Sequence, residues 1–271
     1  MDPVAQHYQV GTIGERILEA LEKAGKDRDR LTPSDLAPVD EFHIRGREAT
    51  EELARIAELD ASTRVLDVGC GIGGSCRYLA MTFGCEATGL DVTPEYVETA
   101  RMLSSRVGLA EKTDFREGSA LELPFDDESF DAVWTEHVQM NIAAKRQFYG
   151  EIARVLRPGG KFLFHDVFAG EAGDVHFPVP WAETAEISHL ARPGDVREIL
   201  GELGFGELQW QDKTEASNVW FRAALDRMRA GERPPVGIHL LMGKTAPVKL
   251  QNMARNLEDG RVAVVQAALT R

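Results

Sequence analysis

The spacing of apolar positions changes from helical to strand-like and back along most of the chain. From Ile13 to Ala24, the residues Ile17, Leu18, Leu21 and Ala24 recur on one helical face, and Gly25 ends the run. The polar stretch KDRDRLTPSDLAPVD reads as a linker, after which Leu53, Ile56 and Ala57 mark the inner face of a helix over Glu48 to Glu58. Next, β-branched runs alternate with helical ones. Strands are expected at TRVLDVG, CEATGLDV, TDFREGS, FDAVWTE, KFLFHDVF and ELQWQDK, with helices through Arg77 to Phe83, Pro94 to Val107, Ala144 to Leu156 and Gly194 to Leu203. Such alternation implies right-handed crossovers and a parallel sheet covered on both faces, hence an α/β fold. Helical stretches at Ala216 to Arg229 and Val248 to Leu257 precede a final buried strand, RVAVVQAAL. Residues 1–58 then form a helical cap and 59–271 the core. The aperiodic, Pro-containing segment AGEAGDVHFPVPWAETAEISHL leaves the carboxyl end of a strand, where open α/β sheets place ligands, so residues 170–191 are expected to form a lid.

Charge and composition narrow the partners. A net charge of −13 without a Lys/Arg cluster argues against a nucleic-acid partner. The start of the chain lacks a basic and then apolar leader, and no apolar run approaches the ~20 residues of a membrane span, so a cytoplasmic location is expected. Cys70, Cys76 and Cys85 have no zinc-ligand spacing and read as small buried thiols, and the histidines are too scattered for a metal site. The apolar stripes of the last helices suit either a homodimer interface or packing on the sheet.

The densest chemical signal is VLDVGCGIGG, where a strand turns into a helix. Gly69, Gly71 and Gly73 let backbone approach a ligand where a Cβ would collide, and the helix start supplies N–H donors. Gly69, Gly71 and Gly74 also satisfy the spacing of dinucleotide binders, and Asp91 stands where a ribose-binding acid is expected. Asp67 distinguishes the two: a carboxylate just before the loop suits a cationic ligand and would be costly beside a pyrophosphate. Asp67 can also tie the loop backbone.

These blocks, with GLDVTPEYVETA, GSALELPFDDESFDAVW and LRPGGKFLF following in order, resemble the class I S-adenosylmethionine-dependent methyltransferases over roughly residues 60 to 170. The resemblance implies a Rossmann-like methyltransferase sheet, mostly parallel with one antiparallel C-terminal strand, and S-adenosylmethionine as cofactor. It implies that Asp67, Gly69 and Gly71 hold the methionine end, Asp91 and Val92 the ribose, and Ser119, Ala120 and Leu121 the adenine edge. Ser119 stands where many relatives carry an acid, which leaves backbone N–H groups to recognise the base. The flanking DEFHIRGREAT and HFPVPWAE are similar to sarcosine/dimethylglycine and ubiquinone-type small-molecule methyltransferases.

Methyl transfer from a sulfonium is an in-line displacement, and a base is needed only when the acceptor must first lose a proton. In this fold the end of the fourth strand faces the methyl group, which makes His137, Glu136 and Gln139 candidates: His137 for the acceptor, Glu136 for the acceptor or the cofactor. His43 lies in the region that closes over the cofactor in similar enzymes, with Arg45 and Arg47 beside it to hold an acceptor carboxylate. Tyr8 belongs to the same cover, His176 and Trp181 are expected to line an acceptor pocket beside Phe177, and His165 to point toward its rim. The function implied is methylation of a small molecule, with an amine or amino acid as acceptor, or else a quinone precursor, phenol or thiol. A nicotinamide-dependent oxidoreductase and a non-catalytic adenosylmethionine-binding module are the competing readings.

Overall fold

The computed structural model describes residues 2–9, 11–232 and 234–271. Its elements are α1 (Pro3–Tyr8), α2 (Ile13–Lys23), α3 (Pro33–Asp40), α4 (Arg47–Ala57), β1 (Arg64–Val68), α5 (Gly74–Phe83), β2 (Glu86–Asp91), α6 (Pro94–Arg106), β3 (Thr113–Glu117), β4 (Phe130–Glu136), α7 (Lys145–Val155), β5 (Leu156–Ala169), α8 (Pro193–Glu202), β6 (Gly206–Asp212), α9 (Thr214–Arg229), α10 (His239–Met242), α11 (Ala246–Glu258) and β7 (Val262–Thr270). The expected linker is corrected here, because its second half is α3. Pro33 occupies the first turn, and the Asp35 carboxylate accepts the Thr32 N–H at 2.8 Å, so backbone groups that a linker would leave to water are satisfied locally. The short helices α1 and α10 were not anticipated; Asp2 caps α1 by accepting the Val4 N–H at 2.7 Å.

The seven strands run in the order β3-β2-β1-β4-β5-β7-β6. The first five are parallel, and β7 inserts antiparallel between β5 and β6, as the expected sheet requires. Chain order reverses between β1 and β4, which opens a crevice at the carboxyl ends of those strands.

Strand alternation decides what faces that crevice. Leu66, Val133, Phe162 and Phe164 pack under α7 and α8 with Phe148, Ile152, Val196 and Leu200. Val65, Trp134 and Leu163 point the other way, onto Leu53, Ala54 and Ala57 of α4. Because side chains alternate with period two, Asp67, Glu136 and His165 continue this second face past the apolar packing. The register Glu136↔His165↔Gln266 extends the row onto β7. Above it lie α2 and α3, whose Ile17, Leu21, Leu36 and Val39 share a core with Tyr96 and Leu103 of α6. Among the described residues, no helix is long and apolar enough to cross a membrane.

Candidate active site

A cavity of about 350 Å³ opens at the carboxyl ends of β1, β2 and β4. Its floor is the glycine loop. Gly69 and Gly71 have φ of +78° and +54°, and a Cβ on Gly69 would stand 2.4 Å from Val138 Cγ2. The loop is tied to β2: the N–H groups of Gly69 and Cys70 donate to Leu90 O, and the Gly71 N–H donates to Asp91 Oδ2 at 2.9 Å. Asp91 Oδ1 accepts the Thr93 N–H at 2.8 Å. Asp91 therefore has a structural role that the sequence reading did not include, while still lining the cavity with Val92, Ser119, Ala120 and Leu121. Burial raises its pKa against the pull of those bonds.

Asp67 is 3% exposed and accepts a hydrogen bond from the Cys76 thiol at 3.5 Å. Burial, reinforced by the charge of Glu136, pushes its pKa up to about 8. Two nearby carboxylates in so little water are poised to receive a cation.

At the far end, Glu136 accepts hydrogen bonds from the Ser75 hydroxyl at 2.7 Å and the Trp134 indole at 2.8 Å, and lies 3.4 Å from His43 Nε2. His43 donates to Glu41 Oε2 at 2.8 Å. Burial works against its protonation, yet the charges of Glu136 and Glu41 outweigh it and push the His43 pKa up to about 9. Glu41 is held below the usual carboxylate range: burial opposes this, but the hydrogen bond and charge of His43 and the Arg47 guanidinium prevail. The two carboxylates thus favour the imidazolium form of His43, which lines the cavity beside Glu136.

His137 differs. It sits at φ +56° in a turn held by Asp166, which accepts the N–H groups of Val138 and Gln139 at 3.0 Å each. Burial, with His165 and His43 as neighbours, keeps its pKa well below 6.5, so the ring is neutral at ordinary pH. The Ile44 N–H donates to His137 Nε2 at 3.4 Å. His165 stacks on it with ring centroids 5.6 Å apart and donates from Nε2 to Ile44 O at 3.0 Å. His165 is fully buried and faces this strap rather than the rim, and burial pulls its pKa down to about 3.

The roof joins distant segments through Asn141, a residue the sequence did not single out. Its Oδ1 accepts the Tyr8 hydroxyl at 3.0 Å, and its Nδ2 donates to Trp181 O and Ile187 O, each at 2.9 Å. Tyr8 and Trp181 accordingly line the cavity. Three other expected acceptor contacts do not. Arg45 is buried and engaged by Glu48 and Glu52, at 2.8 and 2.6 Å. His176 lies outside the cavity, 3.3 Å from Asp259, and its backbone N–H donates to Asn256. The Gln139 side chain donates to Val167 O.

An open α/β sheet with one antiparallel strand near its edge, a glycine-floored crevice and an acidic rim is the architecture of a methyltransferase fold. Residues 66–164 match a methyltransferase domain family. The chain is 28% identical to a glycine/sarcosine/dimethylglycine N-methyltransferase of Actinopolyspora halophila over 74% of its own length but only 35% of that protein, so it spans about a third of that relative. It is 29% identical to the sarcosine/dimethylglycine N-methyltransferase of Halorhodospira halochloris, covering 74% of this chain and 72% of that one. A solved structure of Haemonchus contortus phosphoethanolamine N-methyltransferase 2 with S-adenosyl-L-methionine shares the fold at a TM-score of 0.73 and 18% identity, over 97% of this chain and 60% of that one. Over residues 66–164 the chain therefore carries a methyltransferase domain, on the fold it shares with that S-adenosyl-L-methionine-bound structure.

Proposed function

We propose that this chain moves the methyl group of S-adenosylmethionine to the nitrogen of a small amine. The observation that carries the reading is the row of carboxylates, Asp91, Asp67 and Glu136, along one cavity beside a neutral histidine. Asp91 and Val92 would hold the ribose, Ser119, Ala120 and Leu121 the adenine edge, and Asp67, Gly69, Gly71 and Glu136 the charged methionine end. The cofactor brings an electrophilic methyl group on a sulfonium. The amine lone pair forms the new C–N bond as the C–S bond breaks, its electrons pass to sulfur, and S-adenosylhomocysteine leaves. Positive charge moves from sulfur to nitrogen, so carboxylates that compensate the first also compensate the second.

An amine arriving as an ammonium must lose a proton before it can attack, and the neutral His137 imidazole just past β4 takes it once its Nε2 lone pair is freed from the long contact with the Ile44 N–H. His43 and Glu136 position the reacting end, and Asp166 holds the turn that presents His137. Tyr8 and Trp181 exclude water from above. Replacing His137 with Gln keeps a polar contact and removes the base. Label transfer from methyl-labelled cofactor should then fall about 100-fold, with S-adenosylhomocysteine affinity changed less than ~3-fold; an unchanged turnover refutes the base role.

A further inference from the structure

We infer that the amine acceptor carries no anionic group and seats an apolar portion in a side chamber between α9, α10 and α11. The inference rests on the reading above and names the class of acceptor. The chamber, about 30 Å³, is walled by Trp220, Phe221, Met242, Leu250 and Met253. It shares Phe42, His43, His137, Pro180 and Trp181 with the main cavity, so it begins where the acceptor's reacting atom must stand. A chamber of this size takes a small alkyl group or the edge of a ring, and its aromatic and thioether walls offer an amine's hydrocarbon body the contacts that water would otherwise replace.

Charge separates this acceptor from amino acids. Among the described residues, no Lys or Arg lines either space. The cations nearby are all engaged: His43, which lines both spaces, by Glu41 and Glu136, Arg45 by Glu48 and Glu52, Arg47 by Glu41, Arg77 by Asp40, and Lys249 by Glu183. Lys145 donates to the carbonyls of Gln139, Ile142 and His189. An acceptor carboxylate or phosphate would be desolvated beside Asp67 and Glu136 with no counter-charge.

Phenethylamine and phenylalanine differ by one carboxylate and test this directly. S-adenosylhomocysteine is first titrated into the purified chain by calorimetry; if it does not bind, the cofactor reading fails and the acceptor question is separate. The loaded protein is then titrated with phenethylamine, phenylalanine and sarcosine. Phenethylamine should bind at least tenfold more tightly than phenylalanine, and sarcosine not measurably. Phe221→Ala, or the milder Leu250→Ala at a half-buried wall position, should weaken phenethylamine at least fivefold and leave S-adenosylhomocysteine within twofold. Equal or tighter binding of phenylalanine or sarcosine overturns the inference. So does binding of no amine to the loaded protein, or phenethylamine affinity unmoved by both variants.

Discussion

If Asp67 compensates the cation of the cofactor, binding must drive a proton off it. Its carboxyl titrates near 8 in the unliganded cavity because burial and Glu136 disfavour the charge. At pH 6 only about one molecule in a hundred then has Asp67 ionised, and at pH 7.5 about a quarter do. S-adenosylmethionine affinity should therefore rise nearly tenfold per pH unit in this range, roughly 20-fold in all between pH 6 and 7.5. Calorimetry in two buffers of different ionisation enthalpy should also show release of close to one proton per ligand near pH 6.5. The same shift bears on folding. Asp67 ionises near 3.8 in an unfolded chain and near 8 here, so its burial costs no stability below about pH 4 and progressively more as pH rises toward 8. The ligand should relieve that cost, making its thermal stabilisation larger at pH 7.5 than at pH 6. Asp67→Asn should bind weakly with a flat pH profile. A wild-type affinity constant across this range, with no proton released, would refute the reasoning.

The buried Asp40–Arg77 pair joins α3 to α5, and Arg77 also donates to Ala100 O and Ser104 Oγ on α6. Arg77→Met strands a buried carboxylate and should lower stability by about 3–5 kcal/mol in denaturant titration. Adding Asp40→Leu should recover most of that loss, and a double variant no better than the single would contradict the account. Gly74→Ala places a Cβ 2.0 Å from Asp40 O, a clash with backbone that no rotamer relieves. It should cost about 3 kcal/mol and roughly 10 °C in calorimetric Tm, whereas a Tm within a few degrees of wild type would show that α3 can move aside freely.

Legibility of the fold in the sequence followed how local each determinant is. The strands from β1 to β5 and the glycine turn are written in short runs whose period and small residues suffice, and Asp67, Asp91 and Glu136 came with them because alternation along a strand decides which face they share. The helix α3 was missed because Pro33 and Pro38 masked a brief apolar pattern, although Thr32, Pro33 and Asp35 spell a helix start. Arg45 was misread for want of its partners, yet Glu48 and Glu52 stand close by in sequence and the pairing was open to inspection. Asn141 and His176 are different. Asn141 meets Tyr8 across 133 residues and His176 meets Asp259 across 83, so their roles exist only once the chain is folded. Nor does residue type reveal that His43 and His137 have opposite protonation. Burial disfavours the charge on both rings, and the difference arises because Glu41 and Glu136 stand beside His43 while His137 has only His165 and His43 as charged or titrating neighbours.

The most direct test of the central claim is titration calorimetry with S-adenosylmethionine, S-adenosylhomocysteine and NAD under identical conditions. The account predicts micromolar binding of both adenosyl ligands and none of NAD. Binding of NAD, or failure of both adenosyl ligands to bind, would contradict it.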